Sequence, residues 1–150
     1  MTLEAVRPIA LAEIREARAR IAGIVVRTPL LRLELGPDYP DIRLKLENLQ
    51  PINAYKLRGA ANAVAMLSES ERARGVWTIS AGNAGQGVAY AARTAGVPCT
   101  VVAIETAPVS KLERMKALGA KLIPVPYDVA WKALDERLFL RCGVPALPVE

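Results

Sequence analysis

The sequence contains no histidine. That absence removes histidine-based triads, histidine general bases and most zinc sites in one step. Aromatic residues are scarce, at 5%, which leaves little with which to stack nucleic-acid bases. Cysteine is confined to Cys99 and Cys142, which are far apart and form no CxxC pair. Cys99 falls in a predicted strand and reads as a small buried apolar residue. Such sparing use fits a reducing compartment, and the expected location is the cytoplasm. Long apolar runs are missing too: those present are short and broken by charge or proline, so neither a membrane span nor a signal peptide is expected. There is no GxGxxG, no Walker A pattern and no run of three or four glycines, so nucleotide-type phosphate binding is not indicated.

What is present is the composition of a soluble globular domain: 150 residues, 52% hydrophobic and 23% charged, with abundant alanine that favours closely packed helices. The net charge of +5 is dispersed. Arg15, Arg18 and Arg20 share a predicted helix with Glu13 and Glu16, so the basic residues read as a solvated surface, and no nucleic-acid partner is expected.

Leu11 to Ala22 has the spacing of an amphipathic helix. Arg27-Thr-Pro-Leu-Leu31 breaks it, Gly36-Pro-Asp-Tyr-Pro40 is a turn, and Ile42 to Glu47 alternates as a half-exposed strand does. A different rhythm begins at Lys56. A helix over 56–67 precedes a strand over 76–80, a helix over 83–94 a strand over 98–104, and a helix over 109–118 a strand over 121–125. A last helix is predicted from an Asp128 N-cap to about Arg137. Gly75, Gly96 and Gly119 fall just past helical patterns, where a left-handed cap is needed. Short β-branched strands alternating with helices predict an α/β fold: an open twisted parallel sheet with helices on both faces and right-handed crossovers. The stretch after Arg137, with its two prolines, reads as an irregular tail.

Two loops carry chemistry. Ser80-Ala-Gly-Asn-Ala-Gly-Gln86 joins a strand to a helix. Gly82 lets the backbone approach a ligand, Ser80 can donate a hydroxyl, and the free N–H groups of residues 82 to 85 would present a helix N-terminus to an anion. At the carboxyl end of a parallel strand, this is where open α/β sheets bind ligands. The plain alternative is a capped, glycine-rich helix start. The second loop ends at Lys56. A lysine at a helix start is usually a surface residue, but Leu57, Ala60 and Ala61 suggest a buried beginning, with Arg58 at the surface or in an ion pair. A buried lysine has a lowered pKa and can condense with an aldehyde.

The segment Glu47-Asn-Leu-Gln-Pro-Ile-Asn-Ala-Tyr-Lys-Leu-Arg-Gly-Ala60 resembles the pyridoxal-phosphate lysine motif of the serine/threonine dehydratases (threonine ammonia-lyases), which are fold type II, tryptophan-synthase-β-like enzymes. Ser80-Ala-Gly-Asn-Ala-Gly-Gln-Gly-Val-Ala89 resembles their Ser-x-Gly-Asn-x-x-Gln-Gly-Val-Ala loop. Thr28-Pro-Leu30 and Lys111 to Ala120 are similar to further family segments, and the likeness covers roughly residues 10 to 137. It implies pyridoxal 5'-phosphate as cofactor, with Lys56 as the Schiff-base lysine and the base that removes the substrate α-proton. Asn83 would hydrogen-bond the cofactor's phenolic oxygen, Tyr55 takes the aromatic position before the lysine, and Ser80, Gly82, Ala84 and Gln86 would line a carboxylate pocket. The implied reaction is β-elimination and deamination of L-threonine or L-serine to a 2-oxo acid and ammonia. The implied partner is a small amino acid, in a homo-oligomer and with no membrane.

Three departures qualify the likeness. Ala54 and Ala84 stand where the family usually has serine and histidine. Ala81 stands where the related serine racemases place the serine that serves the opposite face of the cofactor. The family's glycine-rich phosphate loop and its partner for the pyridine nitrogen are not found here. Residues 1–55 are therefore expected to belong to a larger-domain part, 56–137 to a smaller α/β part and 138–150 to an irregular tail, in a fragment or shortened member that binds the cofactor weakly and self-associates. The alternatives are a catalytically silent relative with a binding role, or another fold type II activity such as threonine or cysteine synthase.

Overall fold

Three β-branched runs form the parallel sheet that the alternation predicts. In the computed structural model, which describes residues 8–135, strands β3 (Val76–Ile79), β4 (Cys99–Ile104) and β5 (Lys121–Val125) lie in the order β3-β4-β5. The register pairs Val76 with Cys99 and Thr100 with Lys121. Each strand leads into a helix that flanks the sheet: α4 (Asn83–Ala95), α5 (Val109–Ala117) and α6 (Tyr127–Asp135). Before this unit come α1 (Leu11–Arg20), the antiparallel pair β1 (Leu30–Arg32) and β2 (Arg43–Lys45), a 3-10 turn over Glu47–Leu49, α2 (Lys56–Ala65) and α3 (Glu69–Arg74). The irregular tail expected after Arg137, with Cys142 in it, lies outside the described residues.

Alanine sets the scale of packing. Ile21, Ala61, Val64, Ala91, Ala92 and Val97 form one cluster where α2 meets α4. Ala89, Val101, Met115 and Ala120 form a second, between α4, β4 and α5. The alanines at these contacts let the helices approach closely. Ile52, Ala54 and Leu57 form a third cluster that pins the start of α2. Leu57 is fully buried there, a contribution of about 1.5–3 kcal/mol.

Four expectations need correction. The helix predicted over 56–67 is followed by a further one, α3, whose signal is the Ser68-x-x-Glu71 capping box: Ser68 Oγ accepts from the Glu71 N–H at 3.3 Å, and Glu71 accepts from the Ser68 N–H at 2.8 Å. The strand at Ile42–Glu47 shrinks to Arg43–Lys45 and is exposed throughout, Leu44 included, because nothing among the described residues covers it. Leu31, Leu33, Ile42 and Leu44 are left as an open aliphatic stripe on that hairpin. Asp128 does not cap α6 but sits inside its first turn. Cys99 is half-buried rather than fully buried, and desolvation pushes its thiol up to about 11.

The segment before α2 is fastened by one carboxylate. Glu47 accepts Arg58 Nε at 2.8 Å on one oxygen and Arg58 NH2 at 2.7 Å on the other. The Thr28 hydroxyl donates to it at 2.6 Å and Gln50 Nε2 at 3.3 Å. Gln50, almost fully buried, also donates to the Val26 carbonyl at 2.8 Å and accepts from the Val26 N–H at 3.0 Å. Arg58 is thus in the ion pair that was one of its two expected settings. The Arg58 guanidinium, above all, holds the Glu47 carboxyl down at about 2.

Two outcomes follow for stability. Glu47 has its folded pKa depressed from 4.5 to about 2, so its stabilisation is fully present above the unfolded value and is lost as pH falls through the folded one. The loss is on the order of 3 kcal/mol. Urea unfolding between pH 5 and 2 should show a drop in stability that is much smaller in Glu47→Gln; parallel pH profiles would contradict it. Gly75 has φ of +84° and ψ of 178°, and a Cβ there would meet the Pro98 carbonyl oxygen at 2.9 Å. Gly75→Ala should therefore cost about 1–3 kcal/mol, more than Gly96→Ala, whose left-handed cap opens onto free space. Equal losses would show that Pro98 yields.

Candidate active site

Lys56 is the first residue of α2. The helix turns Leu57, Ala61 and Val64 inward, and this leaves Lys56 on the outer side, exposed and not buried as the neighbouring apolar residues suggested. Burial at a helix start is set by which face meets the core, not by adjacency in sequence. The Lys56 ammonium lies over the ring of Tyr55, 5.0 Å from its centroid, and Tyr55 is itself exposed. The pair is a cation–π contact that keeps the amine beside an aromatic face and within reach of a ligand.

The second loop follows β3. The Ser80 N–H continues the sheet by donating to the Val102 carbonyl at 3.0 Å. Ser80 Oγ then accepts the Gly82 N–H at 3.1 Å. Gly82 is therefore not among the open donors, as the sequence suggested, but is used to turn the chain. Among the described residues, the N–H groups of Asn83, Ala84 and Gly85 have no backbone acceptor, and the α4 ladder starts with Gln86 N–H to the Gly82 carbonyl at 3.3 Å. Three donors and the positive end of a 13-residue helix thus face outward where Asn83 and Ala84 are exposed. Gln86 differs from these. It is 4% exposed, and its buried Oε1 has no hydrogen-bond partner among the described residues. Such an orphan typically costs about 1–3 kcal/mol, and a ligand donor would relieve it.

Glycine brings the two loops together. A Cβ on Gly87 would lie 3.3 Å from the Lys56 carbonyl oxygen and 3.4 Å from the Ala60 methyl. A Cβ on Gly85 would lie 3.0 Å from Met115 Sδ and 3.2 Å from the Ser80 Cβ. The first turns of α4 are therefore wedged between the start of α2 on one side and α5 on the other. Neither glycine was singled out from sequence as a packing residue, because only the tertiary neighbours give them that role. A cavity of about 730 Å³ is a separate feature: it lies between α1 and α2, lined by Arg18, Arg27, Lys45 and Arg58 among others, and includes neither Lys56 nor the 80–86 loop.

The model of the "Pyridoxal-phosphate dependent enzyme" family matches residues 21–139. The catabolic L-threonine dehydratase TdcB of Staphylococcus aureus strain N315 is 40% identical over 126 residues, which is 82% of this chain and 36% of that protein. An L-threonine ammonia-lyase of Thermotoga maritima is 44% identical over 117 residues, covering 77% of this chain and 29% of its own length. Among solved structures, the serine racemase of Dictyostelium discoideum superposes with a TM-score of 0.76 at 34% identity, covering 85% of this chain and 43% of that one. This chain therefore spans about a third of the length of the curated relatives it matches. With a family match over most of its length, and with the lysine and helix-terminus loops drawn together by α4, the chain belongs to the pyridoxal-phosphate-dependent enzymes.

Proposed function

We propose that the chain carries the lysine and carboxylate-binding half of a lyase site that converts L-threonine or L-serine to a 2-oxo acid and ammonia. The observation that supports this reading is the close approach of α4 to α2, which packs Gly87, about one turn into α4, against the backbone of Lys56. The residues present fit the cofactor on its reactive side. Lys56 is an accessible primary amine next to the Tyr55 ring. Asn83 stands exposed at the first position of α4, and the buried Gln86 carbonyl still lacks a donor.

The roles proposed are those that the family resemblance implies. Lys56 would hold the cofactor through Nζ and would serve as the base for the substrate α-proton. Tyr55 borders the amine. Asn83 would hold the cofactor through a hydrogen bond. Ser80, Gly82, Ala84 and Gln86 would line the substrate carboxylate pocket, with the Ala84 N–H as the open backbone donor among them and the Asn83 and Gly85 N–H groups beside it. When bound, the cofactor supplies the electron sink that makes α-proton loss and departure of the β-hydroxyl feasible. Residues 1–55 are assigned to the larger-domain part of the whole enzyme and 56–137 to the smaller part.

A racemase reading deserves a direct comparison, given the fold likeness to a serine racemase. Racemisation needs an acid on the opposite face of the cofactor, and the position that the resemblance assigns to that group is Ala81, which cannot transfer a proton.

Two measurements test these assignments. Borohydride reduction of the chain with pyridoxal phosphate should leave a stable adduct that peptide mapping places on Lys56 and that is lost in Lys56→Ala. In the complete enzyme the same change should lower threonine deamination by at least 10²–10⁴-fold, roughly the worth of a general base. An adduct of equal yield on another lysine would overturn the assignment. With L-serine, the complete enzyme should release pyruvate without appreciable D-serine. D-serine at a comparable rate would mean that a group other than residue 81 reaches the far face.

A further inference from the structure

Lys111 has no place in the account above, yet it stands at the same loop. It lies in the first turn of α5. Residues four apart share a helix face, and four residues on is Met115, fully buried with its Sδ against Gly85 of α4. The face of α5 that bears Lys111 is therefore the face packed on α4. One turn back along both helices, the Lys111 ammonium reaches Gly82, 3.8 Å from the point that a Cβ on that glycine would occupy. Lys111 is half-buried, and its ammonium makes no ion pair or hydrogen bond among the described residues.

This is an unfavourable arrangement unless something negative joins it. The α4 N-terminus carries roughly half a positive charge, its Asn83, Ala84 and Gly85 N–H groups have no backbone acceptor among the described residues, and the Lys111 ammonium stands at Gly82, the residue that precedes them. Two like charges at close range, with partial loss of solvent, repel each other. An anion between them would satisfy both. The absence of a side chain at Gly82 keeps the approach open from the ammonium to the loop backbone.

We propose that Lys111 is a substrate-binding residue that contributes a charge-assisted contact to the substrate carboxylate at the Ser80–Gly85 loop. The loop then recognises a carboxylate with a side-chain cation as well as backbone donors, which favours amino acids with a free carboxylate over amides or amino alcohols. The inference rests on the reading of the α4 N-terminus as the carboxylate site, but not on the chemistry of Lys56.

The test uses the full chain without cofactor, at fixed ionic strength, with the backbone amides followed by NMR as L-threonine is added. The Asn83, Ala84 and Gly85 signals should shift with L-threonine and not with L-threoninol, which lacks the carboxylate. Lys111→Gln should weaken that titration roughly tenfold or more, the worth of one charge-assisted hydrogen bond, with the rest of the spectrum unchanged. Lys111→Arg should restore most of it. A Lys111→Gln titration equal to wild type would overturn the proposal, as would loop amides that fail to respond to L-threonine in the wild-type chain. Carboxylate-dependent shifts without a Lys56 adduct would sink the lyase reading and leave this one standing.

Discussion

The bidentate contact between Glu47 and Arg58 is the constraint on which the lysine's position rests. Its two bonds, at 2.7 and 2.8 Å, bind the turn before α2 to the first turn of that helix. Thr28 and Gln50 converge on the same carboxylate, so the chain from Val26 to Arg58 is gathered around one negative charge. Exposed ion pairs contribute little. This one is better shielded, with the Glu47 side chain only 17% exposed, and its oxygens are otherwise occupied by neutral donors. The direction in which Lys56 leaves the backbone is thus set two residues away, by a group that has no chemistry of its own to perform.

Much of the α/β unit could be read from the sequence because its signals are local. β-branched runs gave β3 to β5 to within a residue or so, and glycines at 75, 96 and 119 closed the helices with positive φ. The miss at α3 was also local: Ser68 and Glu71 have capping-box spacing, yet the charged run between helix and strand read as a connection. The errors at the site were of another kind. Whether Lys56 is buried depends on which face of α2 meets α4, and that follows from Gly87 and Ala61 across the interface. Whether the Gly82 N–H is free depends on the rotamer of Ser80. The convergence of Glu47, Gln50 and Thr28 joins residues 19 apart in sequence, so no window of helical or strand length could reveal it.

The division of labour within the site follows the division of the fold. The amine comes from the start of α2, open backbone donors from the start of α4, and a cation unpaired among the described residues from the start of α5. All three are helix beginnings, where donors are unmet and side chains lean toward a common end of the unit. The pyridoxal-phosphate-dependent family and its threonine dehydratase members supply the chemistry that such a cluster suits. On the proposed reading, the residues here would grip an amino acid by one end and present its α-carbon to a base.

The glycines at 85 and 87 give α4 the character of a machined key. One flank is seated on the Lys56 carbonyl and the other on Met115, with no flexible side chain as padding in either joint. An added methyl would not be absorbed locally; it would displace the whole helix, and with it the donors at its tip. Sequence drift at these two positions would therefore register as a moved helix tip before it registered as loss of fold. If the tip binds a ligand as proposed, a designer has here a lever on that pocket that touches no ligand.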